Sequence, residues 1–512
     1  MREAHYYKKK FEPFSKDSAT VKYNLQKGNL LTAAVILLLL SLVVVSLNVF
    51  HPDSISFRLG LMLLTFFFQL FTMLRIKRLY TFKQLNPYLI HPAFYINLSV
   101  ILYCFLPLTF YLFFEELWYT SLITKDPRNI SLPLAIFCAS VIILNVLFIT
   151  IDRGMRSYLR KTEEFYQIIN VLRRGLPILV VCYALSWLMR ILSIVLTGHY
   201  YGYLPEWEME GIRRSYPLLV PSYDLFIFVL YFPVMFTLWI LCHTAFKSNK
   251  KYKLVLTIFT ILDIMFYLPV GTKQCVLQTV LAVLFSGLMV KQKISKKAIV
   301  FLIVFFLLYP MYGQYRTHGV AASLDEAKMT QARRFSEERS YPLMVVEAMA
   351  HRGFALDDYF YLSQIIQEDF LHGYTYTSVI GGLLPSYLLP LPEYLQDKSV
   401  WEMYEKMGLP QAHTLPAGTM WGELYINFGY PGVLVGVPLI GMFCLFMFRI
   451  LLRRWKFNRF MICCCFLPWF LLLIHGSLSG LITILIRVTV FLFILNSIIT
   501  IVGRRRQKKG LS

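Results

Sequence analysis

The sequence predicts an all-α polytopic membrane protein of about twelve transmembrane helices, with one large helical loop set between the ninth and tenth. Three observations carry this. Of 512 residues, 57% are hydrophobic and only 16% are charged, which lies outside the usual composition of soluble domains. The apolar residues gather in runs close to the roughly 20 residues that a helix needs to cross hydrocarbon. The basic residues gather between alternate runs.

In chain order the first five runs are Leu30–Phe50, Phe57–Leu74, Pro92–Phe114, Leu132–Ile151 and Leu176–Thr197. Leu218–Cys242, Leu254–Val270, Cys275–Val290 and Ala298–Tyr315 follow, and Gly432–Leu452, Phe460–His475 and Leu481–Val502 close the series. Cys275–Val290 and Phe460–His475 are the shortest, and fit re-entrant or mismatched segments as well as plain spans. The first run is too long for a signal-peptide core and has no small-x-small cleavage site, so it reads as a retained span. No paired halves of the kind many transporters carry are visible.

The net charge of +22 is distributed as topology. With the N-terminus inside, the inner segments hold 35 of the 51 Lys+Arg, and every short inner connector exceeds the short outer connectors beside it. That is the positive-inside bias repeated around the chain. It predicts cytoplasmic termini and attraction to anionic inner-leaflet lipid rather than to nucleic acid. The expected layout is a basic cytoplasmic segment over 1–29 and nine spans over 30–315. An outer loop over 316–430, three spans over 431–502 and a basic cytoplasmic tail over 503–512 complete it.

A loop of this length between spans is uncommon unless it carries function. Its 14 Asp+Glu against 8 Lys+Arg fit an outer position. Ser323–Glu326 and Ser399–Glu402 have capping-box spacing. Leu356, Tyr359, Phe360, Leu362, Ile365, Ile366, Phe370 and Leu371 repeat at helical spacing up to Gly373. This predicts an amphipathic helix that lies along the outer membrane face, caps a cavity, or packs within an outer subdomain. Pro385, Pro390 and Pro392 then turn the chain, and Gly418–Gly429 returns it to the bilayer. All nine Cys lie in or beside spans, which argues against disulfides and a Cys-based metal site.

Ionisable groups within spans are functional candidates by default. Arg190, Arg487, Asp263 and Asp224 lie in spans, Lys273 in a tight turn Gly271–Gln274, and Arg316 where the ninth span emerges. Arg and Lys gathered at one depth suit a lipid-linked phosphate or pyrophosphate. Equally, Arg190 and Arg487 can pair with Asp224 or Asp263, and Lys273 and Arg316 can snorkel to the interface. Within the loop, Glu347, His351, Arg352, Asp357 and Asp358 form the densest acid–base cluster, which also reads as a solvated polar face. Glu423 stands among Trp421, Tyr425 and Phe428. A carboxylate among aromatics suits acid–base chemistry on a sugar, or simple anchoring of the tenth span. A P-loop, a nucleotide-binding glycine fingerprint and a serine-hydrolase elbow are absent from the sequence.

Four places resemble the O-antigen polymerase family, also called oligosaccharide repeat-unit polymerases. They are Gly271-Thr-Lys-Gln274, His351-Arg-Gly353, Gly373-Tyr-Thr-Tyr-Thr leading to Pro385, and Gly422-Glu-Leu-Tyr-Ile-Asn-Phe-Gly429 followed by Gly432. Where the family commonly has a basic residue after the proline, this chain has Ser386. The resemblance covers most of the second half of the chain. It implies a GT-C-type membrane glycosyltransferase of the bacterial cytoplasmic membrane. Such an enzyme transfers a growing glycan from undecaprenyl pyrophosphate to the sugar of an incoming lipid-linked repeat unit. Arg190, Lys273, Arg316, Arg352 and Arg487 would then stabilise the leaving pyrophosphate. Glu423, Glu347 and His318, in that order, are candidates for the base. No metal or other cofactor is expected, and a chain-length regulator is an expected partner on the resemblance alone. A lipid-linked oligosaccharide flippase and an O-antigen ligase-like enzyme are the competing readings.

Overall fold

The computed structural model describes residues 54–81, 86–113, 130–151, 163–197, 222–270, 273–291, 356–368, 370–377, 419–452, 456–472 and 478–508. Helices account for nearly all of them, with no strand among the described residues. The runs Leu30–Phe50 and Ala298–Tyr315 lie outside the described residues, and the described part of every other run is helical. Five described helices are long and apolar enough to cross a membrane, or six if one bent pair counts as a single span. The two short runs are helical too. At 17 and 16 residues they measure roughly 24–26 Å at 1.5 Å per residue, a little under a typical hydrocarbon core.

Helix α1 (Ile55–Leu79) opens on Ser54, whose Oγ accepts the Phe57 N–H at 3.1 Å, the usual use of serine at an N-cap. The next span runs through α2 (Pro92–Val100), a π-helical turn (Ile101–Phe105) and α3 (Leu106–Phe113). His91 Nδ1 caps it by accepting the Ala93 N–H. The wider turn falls just ahead of Pro107, whose ring cannot fit a regular i to i−4 ladder. Helix α4 spans Ser131–Ile151. Helices α5 (Glu163–Arg174) and α6 (Leu176–Thr197) meet at Gly175 with a bend of 54°.

A second π-helical turn (Asp224–Val229) leads into α7 (Tyr231–His243), followed by α8 (Lys250–Val270) and α9 (Lys273–Met289). Helix α10 (Asp357–Ile365) and a 3₁₀ turn (Tyr374–Thr377) follow, within the stretch 316–430 that the sequence reads as one loop. The chain closes with α11 (Met420–Leu452), α12 (Phe457–Leu472) and α13 (Leu478–Lys508). Helix α7 is buried on all sides, with α6, α8, α9 and α12 around it. Helix α8 by contrast turns Leu254, Val255, Ile258, Leu262 and Met265 outward, as a face meeting lipid requires.

Helices α1, α4 and α11 form the second packed group. A Cβ on Gly441 would sit 2.1 Å from Leu144 Cδ1, so α4 and α11 approach over a glycine, as membrane helices commonly do. Asn97 of α2 and Asn145 of α4 exchange amide hydrogen bonds at 2.8 and 3.0 Å, each also bonding its own preceding turn. Gly441→Val is expected to lower stability by about 1–3 kcal/mol through overpacking. Thermal unfolding in detergent measures this, and adding Leu144→Ala should recover part of the loss.

Four basic residues collect at one end of the bundle. Asn86 donates to the last carbonyls of α9, and Arg449 Nη2 donates to Ile151 O at the end of α4. Tyr80, His91 and Phe448 pack ring to ring at the same level. Lys77, Arg78, Lys291 and Arg449 therefore share a face, the arrangement that the charge pattern predicts.

Helix α11 is broken near its start. Gly429 has φ 65° and ψ −155°, and Pro431 follows. Residues 420–428 form a short helix that turns back on the long limb, since a Cβ on Gly432 would meet the Leu424 carbonyl oxygen at 2.5 Å. The limb that crosses therefore begins where the sequence places its tenth span. Helix α10 departs from expectation. It stops at Ile365 rather than at Gly373, because Ile366 is extended. It is also buried rather than laid on a surface: Leu356, Asp358, Tyr359, Phe360 and Leu362 are all enclosed. It packs against α11 and, less extensively, α4.

Candidate active site

The break in α11 exposes backbone carbonyls that a straight helix would use. Pro431 has no N–H for Asn427 O, and the left-handed Gly429 disrupts the ladder beside it. The chain after α10 fills both places. Leu371 N donates to Ile426 O and His372 N to Asn427 O, each at 2.9 Å. His372 (φ 46°) and Gly373 (φ 90°) are both left-handed, which wraps the segment around the side chain of Asn427. Gly373 N donates to Asn427 Oδ1 at 3.0 Å.

Glu423 lies inside this junction, fully buried. Thr375 Oγ1 donates to Glu423 Oε1 at 3.0 Å. Asn427 Nδ2 donates to Thr375 Oγ1 and to the Glu423 carbonyl, both at 2.7 Å. Tyr376 stacks on Phe428 with ring centroids 6.3 Å apart. Burial and then the neighbouring Glu423 carboxylate push the Tyr376 phenol above its ordinary range, so it stays protonated. The Tyr376 hydroxyl is buried and has no hydrogen-bond partner among the described residues. Aromatic rings enclose the rest: Trp421 against Phe137, and Tyr425 against Tyr359, Phe370 and Tyr430.

The junction is pinned at its other end by Asp358 of α10. Its carboxylate accepts Thr419 N at 2.6 Å, Thr419 Oγ1 at 2.7 and 2.8 Å, and its neighbour Tyr359 N at 2.8 Å. Thr419 Oγ1 in turn accepts Gly422 N at 3.3 Å, so it caps the short helix that Asp358 holds. Tyr359 reaches on to Pro133 O near the start of α4. The solvated polar face expected around Asp357 and Asp358 is thus wrong for Asp358, which is 1% exposed. It is enclosed because Gly422 lacks a side chain where the carboxylate sits.

A second buried cluster joins α6, α7, α8 and α9. Arg190 Nη1 donates to Asp263 Oδ1 at 2.5 Å, with both side chains fully enclosed. Asp263 Oδ2 accepts the hydroxyls of Tyr183 at 2.8 Å and Tyr231 at 2.7 Å. The Tyr231 proton is thereby committed, so Thr279 is the donor in its 3.0 Å contact with Tyr231. Trp187, Tyr231 and Phe266 place their rings 4.8, 5.0 and 5.5 Å from the guanidinium carbon. Of the partners open to Arg190 in the sequence, Asp263 meets it.

The remaining predicted residues are spread more widely. Lys273 is the first residue of α9, and α8 ends at Val270. Arg487 lies half-buried in the first third of α13. Glu347, His318, Arg316 and Arg352 lie outside the described residues. The structure adds Thr375, Asn427 and Asp358 to the Glu423 cluster, and Tyr183, Tyr231 and Thr279 to the Arg190 cluster. Thr375 and Asn427 stand in the two resembling stretches, so their place in those motifs was the available signal. For Tyr183 and Tyr231, the only hint was that they stand within apolar runs, beside spans that carry Arg190 and Asp263. Compared with family models, curated proteins and solved structures, the chain matches none of them.

Proposed function

We propose that this chain is a lipid-pyrophosphate-dependent glycosyltransferase that joins lipid-linked oligosaccharide repeat units into a surface polysaccharide at the bacterial cytoplasmic membrane. One observation carries the reading. The stretch beginning at Gly373 and the stretch from Gly422 to Gly429, two of the four places of resemblance, fold onto each other and enclose the Glu423 carboxylate.

In this reading the acceptor is a sugar hydroxyl of the incoming repeat unit. Its oxygen attacks the anomeric carbon of the growing glycan and its proton passes to Glu423. The anomeric carbon–oxygen bond to undecaprenyl pyrophosphate breaks, and the electron pair leaves with the pyrophosphate. Cations stabilise that charge. Arg190 already has its charge met by Asp263, which favours Lys273, Arg316, Arg352 and Arg487 for direct contact. Lys273 opens α9, where the helix dipole adds to its positive charge. A chain-length regulator remains a candidate partner.

Purified protein given one defined lipid-linked repeat unit should produce a ladder of longer glycans. Glu423→Gln should slow the ladder by about 10²–10⁴-fold, the usual range for losing a positioned base. A wild type that makes no ladder while lipid-linked sugar crosses vesicle bilayers would overturn the reading in favour of a flippase.

A further inference from the structure

We infer that Thr375 and Asn427 are positioning residues for Glu423. A one-way hydrogen-bond chain from the Gly373 amide through both side chains holds the carboxylate ready to take a proton. The inference rests on the glycosyltransferase reading above and assigns roles within that same site.

The direction of the chain follows from its first donor. The Gly373 N–H can only donate, so the amide atom of Asn427 that faces it at 3.0 Å must be Oδ1. Asn427 Nδ2 then points the other way, donating to the Glu423 carbonyl and to Thr375 Oγ1 at 2.7 Å each. That bond occupies an acceptor site on the Thr375 hydroxyl. Its single proton is left for Glu423 Oε1, 3.0 Å away. A carboxylate that accepts such a bond is favoured in its ionised form.

The geometry holding this chain is specific to the junction. Gly373 has φ +90°, a conformation that side-chain-bearing residues rarely adopt. Thr375, Glu423 and Asn427 are all fully buried, so water does not compete for the bonds. Glu423 and Asn427 are four apart on one helical face, which lets one amide serve both the backbone and Thr375. Among the described side chains, the ionisable groups on the segments packed around the short helix are His372 ahead of the 3₁₀ turn, Tyr376 within it, Asp358, Tyr359 and Tyr361 of α10, and Cys138 of α4. Tyr376 is the one whose phenol the Glu423 carboxylate pushes upward.

In the reaction, Glu423 takes the acceptor hydroxyl's proton as the new glycosidic bond forms and the pyrophosphate leaves with its electron pair. Neither Thr375 nor Asn427 is required to touch the sugar. Removing the Thr375 donor raises the carboxylate's proton affinity, so activity that needs the ionised base is lost at a higher pH.

Ladder formation by Thr375→Val should fall about 10- to 100-fold in kcat with KM little changed, the effect of one lost hydrogen bond to a charged group. Its acidic pH limb should move upward by about one unit. Thr375→Ser should restore both. Thr375→Cys keeps the shape with a weak donor, so it should be intermediate, and it carries the test if the valine variant does not fold. A lowered kcat with the acidic limb unmoved in Thr375→Val or Thr375→Cys would overturn the relay while leaving the polymerase reading standing. Failure of the wild type itself to form a ladder would overturn both.

Discussion

Asp263→Ala should lower folded-state stability by roughly 3–5 kcal/mol, the range for removing one partner of a buried ion pair. The variant leaves the Arg190 guanidinium enclosed by Trp187, Tyr231 and Phe266 with its counter-charge gone. It also removes the acceptor of two tyrosine hydroxyls. Arg190→Met should be destabilising for the mirror reason, a buried carboxylate left with neutral donors alone. The double variant Arg190→Met with Asp263→Leu should recover most of the loss, since apolar groups of similar volume often replace a buried pair without penalty. Unfolding midpoints in one detergent, set out as a double-mutant cycle, give the coupling directly. Additive losses would show that the pair is not a unit. The same double variant separates architecture from chemistry. Ladder formation by a well-folded double variant would confine Arg190 to the ion pair, and loss of ladder formation would return it to the pyrophosphate site.

The helical architecture was largely legible in the sequence because hydrocarbon thickness and basic connectors impose patterns on single residues. The run Leu132–Ile151 became α4 almost residue for residue, and the basic ends of α1, α9 and α11 gathered as their charge required. The break in α11 was half legible. Gly429, Pro431 and Gly432 announce a bend, yet nothing local says that the short helix folds back until Leu424 touches the long limb. The site was less legible still. Glu423 stood out as a carboxylate among aromatics, but its partner Thr375 is 48 positions away, and pairing over that distance has no local pattern. Asp358 read as part of a solvated polar face because it falls in a dense polar cluster with Glu347, His351, Arg352 and Asp357. Only the neighbouring Gly422 backbone turns that position into a buried one. Arg190 had two candidate partners in spans, and sequence spacing alone could not rank Asp263 above Asp224.

Gly422→Ala should loosen α10 from the short helix and lower stability by about 1–3 kcal/mol through overpacking. Its new Cβ would lie 2.3 Å from Asp358 Oδ2 and 2.9 Å from that residue's carboxyl carbon, while the next contact, Leu362 Cδ1 at 3.4 Å, is ordinary. The carboxylate cannot simply swing aside, because Thr419 N, Thr419 Oγ1 and Tyr359 N all donate to it. Yielding to the methyl group therefore means releasing the cap on the short helix as well. Asp358→Ala reaches the same end by another route, leaving the buried Thr419 donors without their acceptor at about 1–3 kcal/mol each. The two changes should be strongly non-additive. Once Asp358 has been shortened, Gly422→Ala meets no carboxylate and should add little. Thermal unfolding and the rate of proteolytic cutting within residues 356–377 measure both single variants and the pair. A Gly422→Ala penalty that persists undiminished beside Asp358→Ala would mean that the glycine serves the bend of α11 and not the approach of the carboxylate.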